Sequence, residues 1–126
     1  MIDIRYGIAE GCHVLSLRGH AEYDQHGQDI VCAGVSAIVF SLLGYLANHD
    51  TNQFYKVVEP GETLIICDSG QDIDTAFTVT MIGLGQIAQK YPENVAITYS
   101  ADGGDPREQS AKKGAWTHAE HETAGH

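Results

Sequence analysis

Basic residues are scarce in this chain. Seven Lys and Arg stand against seventeen Asp and Glu among 126 residues, a net charge of −10 at pH 7 with histidine neutral. Such a chain repels nucleic-acid phosphates and attracts basic partners. Residues 1–100 carry twelve acids and four bases, and residues 101–126 carry five and three. A solubility role for the acidic surface fits the same pattern. Cysteine is sparse too: Cys12, Cys32 and Cys67 form no CxxC pair. An odd count without an export signal reads as reduced thiols in a cytoplasm. No basic segment followed by an apolar stretch opens the chain, so secretion is not expected. The longest apolar run, around Val35 to Leu43, is interrupted by Ser36, Ser41 and Gly44, short of the ~20 residues of a membrane span. No membrane partner and no direct nucleic-acid partner is expected.

What remains is a globular composition, 43% hydrophobic and 19% charged, of a length that suits one domain. Ile2 to Ile8 and Cys12 to Leu17 read as strands joined through Ala9-Glu10-Gly11. Gly19 to Asp29 is polar and without period, the pattern of a mobile loop. From Ile30 to about Asn48, Val31, Val35, Ile38, Leu42 and Leu46 recur at helical spacing, with Asp29 placed as N-cap. Phe54 to Val58 and Thr63 to Cys67 are strands about a Pro60-Gly61 turn. A second helix runs from about Asp72 to Tyr91, with Ser69 and Asp72 as a capping pair and Pro92 as its stop. Val95 to Tyr99 is a last strand. The order ββαββαβ implies a single α+β domain, a largely antiparallel sheet packed with two amphipathic helices. The domain spans residues 1–100, and residues 101–126 read as a disordered tail.

The chemistry concentrates between Arg18 and Ile38. His20 ends a strand, and Cys32 falls in the first turn of a helix, near unpaired backbone N–H groups and the positive end of the helix dipole. That position favours a nucleophilic thiolate. A histidine brought alongside takes the thiol proton and later returns it to a leaving amine. A cysteine there is also often only a small buried apolar residue. The conjunction with His20, a polar loop, and the small residues Ala33, Gly34 and Ser36, which leave room for a substrate backbone, favours the catalytic reading.

Gly19-His20-Ala21, Gly27, Asp29, Val31-Cys32-Ala33 and Val35-Ser36-Ala37 together resemble the signature of the Prp family of ribosomal-processing cysteine proteases. The resemblance covers the first hundred residues. It implies a His20–Cys32 dyad that removes the N-terminal extension of large-subunit ribosomal protein number twenty-seven. It also implies a cytoplasmic homodimer without metal or cofactor. Gly19, Asp29, Ala33 and Ser36 are the supporting or substrate-binding candidates. Asp29 is either a helix cap or a third member orienting His20. Ser36, one turn beyond Cys32, either hydrogen-bonds thiol or substrate or packs as a small residue. First-turn backbone amides are the natural oxyanion donors. In the tail, Ser110-Ala111-Lys112-Lys113-Gly114 resembles the sequence expected just after the cleavage point, by chance or as a product-like segment that visits the cleft.

Three other patterns compete. Gly83-Leu84-Gly85-Gln86-Ile87-Ala88 mimics a dinucleotide fingerprint but lies within a helical stripe, where close packing explains the glycines better. His20, Asp24, His26 and Cys32 match no common zinc spacing. A non-catalytic assembly module that binds a basic segment in an acidic groove would share the charge pattern, but would not need both His20 and Cys32.

Overall fold

The computed structural model describes residues 1–25, 28–49 and 54–99. The expected tail, with its Lys112-Lys113 segment, lies outside the described residues, as do Gly27 and His26. The elements are β1 (Ile2–Ala9), β2 (Cys12–Arg18), α1 (Ile30–Asn48), β3 (Phe54–Glu59), β4 (Glu62–Asp68), α2 (Gln71–Lys90) and β5 (Val95–Tyr99). They form one five-stranded sheet in the order β3-β4-β2-β1-β5. All neighbours are antiparallel except β1 and β5, which run parallel with Ile2 opposite Val95. The expected α+β order is therefore observed, with each boundary within two residues of its sequence reading.

Both hairpins turn on two residues. Glu10 and Gly11 have φ of 52° and 77°, the pair of positive values that a type I′ turn requires. Pro60 and Gly61 make the second turn, with Gly61 at φ 75°. Ile4, Leu15, Leu17 and Ile65 from the sheet bury against Val31, Val35, Val39, Leu42 and Leu46 of α1 and Ile73, Phe77, Met81 and Leu84 of α2. The helices also pack on each other. A Cβ at Gly83 would come within 3.0 Å of Ile38 Cδ1, and one at Gly34 within 3.4 Å of Ile87 Cδ1. Gly83 thus serves helix packing, as its stripe suggested, whereas Gly85 faces open space.

Two expectations need correction. The interruptions in α1 do not take it below the threshold for a membrane span: its 19 residues have a mean hydropathy of 2.2 and are long and apolar enough to cross a bilayer. In this fold one stripe of α1 is core, and Ile30 and Phe40 on its outer side are exposed. Apolar residues occupy both sides because the few polar positions are Ser, Gly and Asn rather than charges. The start of α2 is also capped differently. Gly70 is the N-cap, and Asp74, not Asp72, accepts from the Ser69 hydroxyl at 2.7 Å and the Gly70 amide at 3.2 Å. A side chain in the first turn reaching back accepts the amide of the cap residue itself, whereas a forward cap would accept amides two or three residues into the helix.

Asp74 has a further partner. His13, buried on β2, contacts Asp74 Oδ1 through Nε2 at 2.6 Å and Tyr6 Oη through Nδ1 at 2.6 Å. Because a carboxylate only accepts, Nε2–H donates to Asp74 and the Tyr6 hydroxyl donates to Nδ1. Burial, and then the negative charge of Asp74, push the Tyr6 hydroxyl up to about 12, so it stays a donor at neutral pH. The His13 ring stacks on Phe77 at 4.3 Å and 4°. This network was not singled out from the sequence, although His13 shares its strand face with Leu15 and Leu17.

The network carries a pH signature. The hydrogen bond from His13, and next that from Ser69, hold the Asp74 carboxyl below the usual carboxylate range against an opposing effect of burial. A carboxylate with a depressed folded pKa contributes stability that is complete above its unfolded value, about 3.9. That stability is lost as pH falls through the folded value. An Asp74→Asn protein should therefore be less stable at neutral pH, with the gap to wild type narrowing as pH drops below about 4. Urea unfolding at several pH values measures this. A gap that stays constant into acid would show that the Asp74 charge contributes nothing.

Candidate active site

A pocket of about 360 Å³ opens between the end of β2, the first turns of α1 and the β3–β4 turn. His20 and Cys32 both line it, and so does Ser36. Leu17, Val35, Val39, Phe40, Val58 and Pro60 give it an apolar floor and side, and Glu59 and Glu62 stand on its rim. The two residues expected to form the dyad, twelve positions apart in sequence, thus share one concave wall.

Cys32 owes its place to Asp29. Asp29 is the N-cap of α1, and its Oδ1 accepts the Cys32 amide at 2.9 Å. Its Oδ2 accepts the amides of Tyr23 at 2.9 Å and Asp24 at 3.3 Å, tying the preceding loop to the helix start. Burial alone would raise this carboxyl, but the amides of Cys32, Tyr23, Asp24 and Val31 outweigh it and hold it below the ordinary range. The contacts are those of a cap. They also narrow the oxyanion expectation: the Cys32 amide is bound to Asp29 Oδ1, and the Ala33 amide donates to the Asp29 carbonyl at 3.0 Å. Those two first-turn donors are already occupied.

His20 is exposed, beyond the last residue of β2. Gly19 before it has φ 95°, and a Cβ there would overlap the carbonyl oxygen of Met1. Glycine is therefore required at position 19 for backbone reasons. Ala21 after it is buried, and its carbonyl accepts from Asn94 Nδ2 at 2.9 Å. Tyr23 packs edge-on against Tyr91 at 5.3 Å. The described loop residues 21–25 are thus tied toward the end of α2 and contribute nothing to the pocket wall.

Two of the small residues lie outside the pocket wall. Ala33 is exposed and outside the pocket wall, because it follows Cys32 by about 100° around the helix. Gly34 faces Ile87 of α2. Of that group Ser36 alone joins Cys32 in the pocket. Cys12 and Cys67 are buried in strands, and all three cysteines are thiols rather than disulfides. Among the described residues, no three His, Cys, Asp or Glu side chains gather as metal ligands.

Comparison with known proteins gives this arrangement its context. A model of the family described as cysteine protease Prp matches residues 1–96. The ribosomal processing cysteine protease Prp of Mycoplasma genitalium is 30% identical over 83 residues, 66% of this chain and 84% of that protein. Its counterpart from Staphylococcus aureus is 27% identical over 90 residues, 64% of this chain and 80% of that one. A crystal structure of the S. aureus processing protease with a covalently linked product peptide superimposes with a TM-score of 0.69 at 23% identity, covering 79% of this chain and 99% of that one. At that identity the likeness is one of fold. The family match spans both hairpins, both helices and the start of β5, and takes in the Gly-His-Ala and Cys-Ala segments from which the resemblance was read. The chain belongs to the Prp family of cysteine proteases.

Proposed function

We propose that this protein is a ribosomal-processing endopeptidase in which His20 and Cys32 form the catalytic dyad. Its substrate is the N-terminally extended form of large-subunit ribosomal protein number twenty-seven. The observation that carries the reading is the shared pocket, lined both by Cys32 at a capped helix start and by His20 just beyond the end of β2. Membership of the Prp family supports it, as do the names of the relatives.

In this reading His20 takes the proton from Cys32 Sγ. The thiolate attacks the scissile carbonyl carbon, and the carbonyl π electrons move to oxygen as a tetrahedral oxyanion forms. Collapse breaks the C–N bond, and the His20 imidazolium gives its proton to the departing amine. The resulting thioester is attacked by water, which His20 deprotonates. Collapse of the second tetrahedral adduct releases the carboxylic acid and returns Cys32 to its resting form. Asp29 holds the helix start as a cap, and Ser36 borders the bound substrate beside the thiol.

The apolar floor of Leu17, Val35, Val39 and Phe40 suits bulky residues before the cut. A net charge of −10 and the rim carboxylate Glu59 suit a basic substrate. We place the protein in the cytoplasm as a homodimer, without cofactor, as the family resemblance implies. The test is incubation of the purified protein with the extended ribosomal protein, followed by mass determination of the products. A single cut that releases the extension, absent with a Cys32→Ser protein, is expected. Binding without cleavage would replace this reading with that of an assembly module.

A further inference from the structure

The β3–β4 turn meets the end of β2 at His20. Gly19 donates its amide to the Gly61 carbonyl at 2.9 Å, and Arg18 pairs with Glu62 at 3.3 Å. The register continues the contact, with Arg18 opposite Glu62 across the β2–β4 ladder. The ring of His20 lies directly over Gly61. A Cβ built on Gly61 would stand 2.9 Å from His20 Nε2, 3.4 Å from Cε1 and 3.6 Å from Cδ2. The first of these is closer than Cβ atoms approach a neighbour, so one partner must move. His20 is exposed and can swing about its χ angles, while Gly61 is held in a turn between two paired strands. The ring is what gives.

We infer that Gly61 is a positioning residue for the catalytic histidine: the bare backbone of the β3–β4 turn is the seat on which the His20 imidazole rests beside Cys32. The inference rests on the His20–Cys32 reading above. The same turn forms part of the pocket through Glu59, Pro60, Gly61 and Glu62, so a substrate bound there touches the seat of the histidine. No signal for this role exists in the local sequence, because a Pro-Gly turn is sufficiently explained by its own geometry.

The protein contains its own control. Gly11 is the second residue of the other two-residue hairpin turn, with φ 77° against 75° at Gly61, and a Cβ there would meet nothing within 4 Å. Gly11→Ala and Gly61→Ala therefore impose similar backbone strain, and only the second displaces His20. Gly61→Asn adds the same Cβ with a residue that tolerates positive φ, and guards against a Gly61→Ala protein that does not fold. Cleavage of a substrate-length peptide and the rate of Cys32 alkylation by iodoacetamide at neutral pH would be measured for all three, with His20→Ala alongside. Both Gly61 variants should lose roughly tenfold or more in kcat, since misplacement by about 1 Å can cost 10²-fold. They should also slow alkylation, whereas Gly11→Ala should change neither. Gly61 variants that match Gly11→Ala in both readouts overturn the inference while leaving the dyad standing. Full activity in His20→Ala would overturn the dyad itself, and the inference with it.

Discussion

Cleavage by a His20→Ala protein should fall by about 10²–10⁴-fold, with the unfolding midpoint close to that of wild type. The two halves of this expectation have separate origins. His20 is exposed beyond the end of β2, so its loss leaves no cavity in the core. In the dyad reading it is the group that takes the thiol proton and delivers it to the leaving amine, and among the described residues no other histidine lines the pocket. Cys32→Ala should remove activity altogether, because the covalent step loses its thiolate. Cys12 and Cys67 are buried, so iodoacetamide on the folded protein should label Cys32 first. Peptide mapping after brief alkylation checks this. Equal labelling of all three thiols, or substantial cleavage by His20→Ala, would mean that the dyad has been misassigned.

The largest effect on stability is expected at Phe77. It is fully buried, stacks on His13 at 4.3 Å and lies 5.9 Å from the Tyr6 ring. Phe77→Ala removes an aromatic side chain from the contact between α2 and the sheet. Such truncations typically cost about 3–5 kcal/mol, a large part of the about 5–15 kcal/mol that stabilises a domain. The cavity would also border a hydrogen-bonded histidine that cannot close around it without breaking its bonds to Tyr6 and Asp74. Urea unfolding monitored by circular dichroism measures the loss. A cost near 1 kcal/mol would show that α2 settles onto the sheet and that the stack contributes little. The pocket is toward the other end of β2, where its nearest residue on that strand, Leu17, is about 13 Å from His13 at the rise of a strand. Alkylation of Cys32 in the folded fraction should therefore be unchanged.

Elements with local causes were legible in the sequence. Gly11 and Pro60-Gly61 mark the hairpins, and the recurrence of Val31, Val35, Leu42 and Leu46 marks the first helix. Asp29 was readable as its cap because an acid directly before an apolar stripe has few other uses. Cys32 and His20 were readable only together, with the loop between them, and the structure brings both to one pocket. Features that depend on remote contacts were not legible. The parallel pairing of β1 with β5, the bond from His13 to Asp74 across 61 positions, and the approach of Gly61 to His20 leave no period in the chain. Ala33 and Gly34 were assigned by their size, which does not say which way a helix faces. The hydropathy of α1 was underestimated because small polar residues lower it much less than charges would.

The pairing of β1 with β5 also bears on the order in which the chain is assembled. The two hairpins and the two helices are closed by contacts a few residues apart, so each can form soon after its own residues are available. Ile2 meets Val95 only after nearly every other described residue has been made. Contacts of such long separation carry the cost of closing a long loop and slow the search for the native state. During synthesis β1 is paired with β2 on one side, while its other edge waits for β5. An unpaired edge strand is a template for the wrong partner, including another nascent copy. Ile2 is also in the wall of the pocket, so the strand whose edge waits for β5 is one that borders the cleft.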